Sequence, residues 1–143
     1  GPALATATVS PASPAPAAAA QTPAKAKADR AADAKAMVEA WRAAWERGRV
    51  MEYASYYADT AVQGDRRGRD AIRDHKAALW KEKAPKSVRV SDLKVVPRRD
   101  GFVVTFVQDY ESSDGGSDRG NKTLYLAPAG AGFAIVEEKW SRR

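Results

Sequence analysis

The chain has 143 residues, no cysteine and a single histidine, His75. The lack of cysteine excludes disulfides, thiolate metal sites and a cysteine nucleophile. One imidazole is too few for a typical zinc site, which takes several histidine or cysteine ligands. A Gly-rich phosphate-binding loop is also missing, because Gly115-Gly116 belongs to a predicted turn. We therefore predict no metal and no cofactor.

Long apolar runs and a strong charge excess are likewise missing. No window approaches the roughly 20 apolar residues that span a bilayer, so we expect no membrane insertion. The net charge is only +6. Nucleic-acid binding normally needs a continuous basic surface with aromatic rings to stack bases. Here aspartates interrupt the basic clusters at residues 66–69 and 98–99, so we expect no nucleic-acid partner.

Residues 1–30 are rich in Ala, Pro, Thr and Ser, and four of their five prolines are spaced so that no helix can run through: Pro11, Pro14, Pro16 and Pro23. Such a segment buries too little apolar surface to offset its ordering entropy. We predict a disordered Ala/Pro-rich linker over 1–30 and one domain over 31–143. The opening Gly-Pro is typical of a scar left by tag removal. We expect the linker to join the domain to a longer protein.

Apolar spacing predicts three helices, at Ala31–Arg47, Val50–Ala58 and Asp70–Lys83. Gly48 ends the first helix and Pro85 follows the third. The first helix places four apolar side chains on one face: Met37, Val38, Trp41 and Trp45.

After Pro85 the apolar pattern alternates, which predicts strands. Short turns between them indicate an antiparallel meander. The apolar phase shifts between Val90 and Leu93, which predicts a bulge near Ser91-Asp92 that curls the sheet. A very short additional strand is predicted at Ala61-Val62. The four main strands are Ser87–Pro97, Gly101–Ser112, Asp118–Ala127 and Gly132–Trp140.

Helices followed by strands indicate an α+β fold in which three helices cover one face of a curved, four-stranded antiparallel sheet. The second strand is informative, because alternate side chains of a strand share one face. Phe106, Gln108 and Tyr110 therefore lie together, which suits the wall of a half-buried, cone-shaped cavity.

Five motifs follow one another along the domain: Trp41 with Trp45, residues 53–58, residues 106–110 with Ser112, residues 122–124 and residues 133–138. In this order, with the predicted helices and strands, they resemble the nuclear transport factor 2-like superfamily, which includes SnoaL-like and ketosteroid isomerase-like domains with a cystatin-like fold. Within that superfamily, they resemble more narrowly the domain at the C-terminus of some bacterial envelope L,D-transpeptidases and beside tetratricopeptide repeats.

The resemblance implies a cavity but does not decide its function, since such folds serve isomerases, dehydratases, cyclases, assembly domains and adaptors. The residues predicted to line the cavity are Trp41, Trp45, Tyr53, Tyr57, His75, Trp80, Phe106, Gln108, Tyr110 and Glu138. The three tryptophans are equally typical of a core. A buried Gln108 must find partners, and an internal network is favoured slightly over ligand recognition.

An enzyme of this fold would need a base beside a polarising hydroxyl. His75 with Tyr53 is the candidate pair, and Asp109 or Glu138 is an alternative base. Strand alternation places Asp109 on the face opposite Gln108 and Tyr110, which argues against it.

Our leading hypothesis is a non-catalytic accessory module of a bacterial envelope or periplasmic protein. It would bind a peptide, a glycan fragment of the cell wall or a partner protein through its cavity or sheet face. The alternatives are a small-molecule isomerase, dehydratase or cyclase, and an oligomerisation domain. A homodimer through the outer sheet face is predicted from the uncharged strip Val103, Thr105 and Val107.

Overall fold

The computed structural model describes residues 23–143, with side chains from Asp29 onward. Of the linker predicted at 1–30, residues 1–22, which include the predicted tag scar, lie outside the described residues. Residues 31–143 form one compact unit. Nine elements follow in chain order: α1 (Pro23–Glu46), α2 (Val50–Ser55), β1 (Tyr57–Gln63), β2 (Arg66–Arg67), α3 (Arg69–Glu82), β3 (Pro85–Arg98), β4 (Gly101–Ser112), β5 (Ser117–Ala129) and β6 (Gly132–Arg142).

The three predicted helices are present, with changed ends. The first begins at Pro23 rather than Ala31. Proline is well accepted in the first turn of a helix, and the Ala and Lys residues after it are strong helix formers. The helix ends at Glu46, and two residues later Gly48 takes a φ of +67°, a left-handed conformation that glycine adopts readily. The second helix ends at Ser55 instead of Ala58, because Tyr57 already pairs with Ile135 in the sheet.

The sheet has six strands in the order β2-β1-β6-β5-β4-β3. Its four long strands form the predicted antiparallel meander. The extra strand predicted at Ala61-Val62 is present but longer, since β1 runs over Tyr57–Gln63 and pairs in parallel with β6. The sheet is therefore mixed. Local periodicity did not indicate the full length of β1 or its pairing, because its partner strand lies far along the chain.

The predicted bulge in the first long strand is confirmed. The pairing moves from Ser91 with Val107 to Lys94 with Thr105, which leaves extra residues in β3. Asp92 within the bulge takes a φ of 53°, a left-handed conformation that aspartate tolerates better than most side chains. Bulges bend the strand that carries them and increase the local twist, so this one contributes to the curvature of the sheet.

The helices pack on one face of the sheet. Trp41 of α1 lies against Phe106 of β4, with ring centroids 6.0 Å apart. Trp41, Tyr53, Tyr57 and Ile135 are fully buried and form the centre of the core. Within residues 23–143, no helix has the length and apolarity needed to cross a membrane.

Candidate functional site

A pocket of about 380 Å³ opens between α3, the end of α1 and the inner faces of the last three strands. Helix α1 contributes Trp45, α3 contributes Lys76 and Trp80, and β4 contributes Gln108. The other lining residues are Gln63, Gly64, Arg66, Leu79, Tyr110, Asp118, Lys122, Glu138 and Trp140.

A larger pocket of about 530 Å³ runs between α1 and β3. Three of its charged side chains already pair with each other, since Arg42 lies 2.8 Å from Glu39 and 3.3 Å from Glu46. Glu46 also accepts a 3.0 Å hydrogen bond from the Val88 amide. The smaller pocket is the better candidate because it contains polar atoms that have no partner.

The inner side of the candidate pocket is a buried ion pair between Lys122 of β5 and Glu138 of β6, each only 5% exposed. The second carboxylate oxygen of Glu138 accepts hydrogen bonds from the Tyr57 hydroxyl at 2.6 Å and from Gln63 Nε2 at 3.0 Å. Together with Tyr53, these residues form what we call the inner cluster.

The two tyrosines of the inner cluster link the carboxylate to the core. Since Tyr57 gives its one proton to Glu138, the Tyr53 hydroxyl, 2.8 Å away, must donate to Tyr57. Tyr53 in turn accepts from Gln63 Nε2 at 2.9 Å, and Tyr57 accepts from Trp41 Nε1 at 2.9 Å. Burial and then the Glu138 charge raise the pKa of both hydroxyls well above the usual range, so they remain proton donors.

Glu138 stays ionised although it is buried. Burial raises its pKa, but the Lys122 ammonium and the hydrogen bonds from Lys122, Tyr57 and Gln63 outweigh that effect and lower the pKa to about 2. A carboxylate held this way is a weak base at neutral pH. The inner cluster is thus saturated, with each polar side chain already bonded.

The outer side of the pocket is different. Among the described residues, three buried side-chain polar atoms lack a hydrogen-bond partner: Trp45 Nε1, Trp80 Nε1 and Gln108 Oε1. All three belong to residues that line this pocket. Buried polar groups are normally bonded, and each exception calls for a reason.

Lys76 of α3 completes what we call the outer group, with Trp45, Trp80 and Gln108. Its ammonium lies 5.6 Å from the centroid of the Trp45 ring. Burial lowers its pKa to about 8; Glu138 acts to raise the pKa, while Lys122 and Arg66 lower it further. No acidic side chain of the described residues forms an ion pair with it. The outer group thus holds a half-buried cation without a counter-ion.

The aromatic rings give the pocket flat walls. Trp45 stacks on Tyr110 with centroids 5.2 Å apart and planes 19° apart. Trp80 meets Tyr53 edge to face at 5.1 Å. Arrangements of this kind hold rings rigidly, so the indole N–H groups have fixed directions.

Half of the residues predicted to line the cavity do so: Trp45, Trp80, Gln108, Tyr110 and Glu138. Four others lie beneath the pocket in the core: Trp41, Tyr53, Tyr57 and Phe106. Their size and burial make them core residues, and the hydroxyl of Tyr53 is fully engaged.

The prediction for His75 was wrong. Its side chain is exposed and does not line the pocket. Partial burial, followed by the charges of Arg66 and Lys76, lowers its pKa. The apolar face of α3 is broad, and His75 lies at the edge of that face next to solvent. Tyr53 is buried in the core, so His75 and Tyr53 do not form a catalytic pair.

The internal network favoured for Gln108 is not seen at its Oε1 atom, which makes no hydrogen bond within the described residues. The network instead uses Gln63, which was not predicted. Lys76, Lys122, Arg66 and Asp118 were missed as well. Only Lys122 carried a usable signal, since it alternates in phase with the buried Leu124 and Leu126.

The outer strip predicted to support a homodimer is only partly available. Val103 and Thr105 are half-buried, and Val107 is 4% exposed within the single chain. Arg98 and Lys139 flank the neighbouring Tyr125 ring, at 5.0 and 5.4 Å from its centroid. Dimerisation through this face stays a prediction.

Within residues 23–143, no three acidic, histidine or cysteine side chains are grouped so as to hold a metal.

Residues 33–139 match the family model of the Cds6 C-terminal NTF2-like domain. That match covers most of the chain, and the chain belongs to this family.

Solved structures agree on the fold. Bd1075 of Bdellovibrio bacteriovorus is 28% identical with a TM-score of 0.70, over 78% of this chain and 41% of that one. An NTF2-like protein of unknown function from Pseudomonas putida is 17% identical with a TM-score of 0.70, over 80% of this chain and 87% of that one. A putative calcium/calmodulin-dependent protein kinase II association domain from Xanthomonas campestris is 18% identical with a TM-score of 0.63, over 77% and 85%.

The chain therefore spans well under two thirds of the length of Bd1075. No curated protein sequence matches it.

Proposed function

We propose that this domain is a non-catalytic binding module that takes a small ligand into the pocket lined by the outer group. The ligand is a peptide, a glycan fragment or an exposed segment of a partner protein. The observation that carries this proposal is the concentration of unpartnered buried polar atoms on Trp45, Trp80 and Gln108 around one opening. A few fixed polar groups among aromatic rings are typical of ligand sites.

The states of Glu138 and His75, the two bases predicted for an enzyme, favour binding over catalysis. Glu138, the buried carboxylate, has a pKa of about 2 and is held by three neighbours. His75 lies outside the pocket. General base catalysis works best with a group whose pKa is near the working pH and which is free to take a proton.

We also propose that the domain serves a larger protein of the bacterial envelope. The resemblance to domains beside L,D-transpeptidases supports this location, and the partial coverage of Bd1075 supports attachment to other domains. Fractionation of the source bacterium, followed by detection of the domain with an antibody, should place it with envelope or periplasmic material. Recovery with the cytosol alone would contradict the location without affecting the pocket.

Nuclear magnetic resonance of the indole N–H groups tests the binding function within a single molecule. The chain has four tryptophans. On adding a panel of acylated dipeptides and short oligosaccharides, the signals of Trp45 and Trp80 should move. The Trp41 signal is the internal control, because its Nε1 is bonded to Tyr57 at 2.9 Å beneath the pocket.

Two results would contradict the proposal. If no probe at millimolar concentration moves the Trp45 and Trp80 signals, the pocket is not a ligand site. If a probe is converted and the conversion disappears in Lys76→Met, the site is catalytic, with the Lys76 amine as its base.

A further inference from the structure

We infer that the ligand of this pocket carries a carboxylate next to an amide N–H, as the C-terminal end of a peptide does. This inference rests on the proposed function and names the chemistry of the same site. Its basis is the distribution of charge and of unpartnered donors and acceptors around the opening.

The charge of the pocket favours an anion. Three cations and two carboxylates line it: Lys76, Arg66 and Lys122, with Glu138 and Asp118. Lys122 and Glu138 neutralise each other as an ion pair. Arg66 bonds the Gln63 carbonyl oxygen at 3.1 Å and approaches Asp65 at 3.7 Å.

Lys76 is therefore the cation that remains to be paired. Its neighbour Asp118 is partly exposed and forms no ion pair with it. A charge taken out of water is costly unless it gains a partner, and a ligand carboxylate would supply one.

The unpartnered atoms add a pattern of hydrogen bonds. The indole N–H groups of Trp45 and Trp80 only donate, so they need acceptors such as carboxylate or carbonyl oxygens. Gln108 Oε1 only accepts, so it needs a donor such as an amide N–H. A peptide end offers all of these within one residue.

Other ligands fit less of the pattern. Neutral sugar hydroxyls would satisfy the indoles and Gln108 but would leave Lys76 unpaired. An inorganic anion would pair with Lys76 but would offer Gln108 no N–H group. The volume of about 380 Å³ is near the small end for ligand pockets, which suits one or two residues.

The pH dependence has a definite sign. Burial holds the pKa of Lys76 at about 8, with Glu138 and Asp118 acting to raise it and Lys122 and Arg66 to lower it. A carboxylate binds the ammonium form, so affinity should be constant from about pH 5, where the ligand carboxyl is ionised, to about pH 8. Above it, affinity should fall by up to tenfold per pH unit, because the free protein releases the proton that the complex keeps.

The test compares two pools of N-acetylated dipeptides that contain all common residue types, one made as free acids and one as C-terminal amides. Binding is followed by the indole signals of Trp45 and Trp80. We expect the free acids to bind at least tenfold more tightly than the amides. Lys76→Met should abolish that preference, while Lys81→Met, on the exposed side of the same helix, should retain it.

The outcomes separate this inference from the proposed function. If acids and amides bind equally, or if only oligosaccharides bind, the inference is wrong and the binding function stands. If no probe of any class binds, both are wrong. A preference for acids that survives in Lys76→Met would also overturn the inference.

Discussion

Gln63 and Gln108 are two glutamines beside the same pocket, 4% and 3% exposed, and their environments are opposite. Gln63 donates to Tyr53 and Glu138 and accepts from Arg66. Gln108 has a carbonyl oxygen without any partner. Equal burial therefore does not mean an equal role. The polar groups of the inner cluster bond one another, whereas the outer group keeps unused hydrogen-bonding groups, which the proposed ligand would engage.

The physical cost of the two arrangements differs. Removing one member of a buried ion pair leaves an uncompensated charge, which is strongly destabilising. Leaving a polar atom buried and unpartnered already costs about 1–3 kcal/mol. Under the proposed function, a bound ligand would offset this cost at the three atoms around the opening. Substitutions in the two regions should therefore act in opposite directions.

Glu138→Gln should have the largest effect, because it leaves Lys122 buried without its counter-ion. We expect a loss of about 3–5 kcal/mol in the free energy of unfolding, measured with urea. Glu137→Gln is the matched control. Glu137 is half-buried and its pair with Lys139 is long, at 3.9 Å, so about 0–1 kcal/mol is expected. Equal losses in both variants would show that the buried ion pair of the inner cluster contributes no more to stability than an exposed one.

Acid should weaken the inner cluster in a defined range. The pKa of Glu138 is lowered from 4.5 to about 2, so its contribution is fully present above about pH 4.5 and is lost as the pH falls through 2. The slope approaches about 1.4 kcal/mol per pH unit for one such group. The stability difference between the natural chain and Glu138→Gln, followed from pH 6 to pH 2, should shrink over this range. A constant difference would contradict the assignment.

Tyr57→Phe removes the hydroxyl that joins Trp41, Tyr53 and Glu138. Because the Trp41 N–H is then buried without a partner, we expect a loss of about 1–3 kcal/mol in urea unfolding. Tyr125→Phe is the control, since its ring lies on the outer sheet face against Lys139. If Tyr125→Phe lost as much unfolding free energy as Tyr57→Phe, the stabilising role of the Tyr57 hydroxyl would be contradicted.

Gln108→Leu should have the smallest effect on stability and a large effect on binding. Removing the unpartnered oxygen should leave the free energy of unfolding unchanged or raise it by up to about 1 kcal/mol. The same replacement at Gln63 should destabilise the protein, because it removes several bonds of the inner cluster. Ligand titration of Gln108→Leu should show weakened binding. A marked loss of stability with normal binding would assign Gln108 to an internal role instead.

Much of the fold could be predicted from local patterns. The apolar spacing of α3 and the alternation of β4 gave their bounds to within a residue, because amphipathic periods record which face meets the core. The bulge in β3 was visible for the same reason, as a phase shift of the apolar residues. The strand β1 was largely missed, since its parallel pairing with β6 depends on a contact between distant segments.

The candidate site was harder to predict. Alternation placed Gln108 and Tyr110 on the cavity side correctly. It could not show that Lys76 lies over the Trp45 ring, or that Lys122 pairs with Glu138, because those contacts join different elements. His75 was misplaced, since helical spacing shows which face of a helix is apolar but not how much of that face the rest of the protein covers.

By itself, the amino-acid sequence determined the α+β class, the curved meander and the inward side of β4, because these follow from periods of two and 3.6 residues. The tertiary structure alone decided which buried polar groups meet. That decision depends on distances between side chains of separate elements, and it made Gln63 part of a closed cluster while leaving Gln108, Trp45 and Trp80 with unused hydrogen-bonding groups.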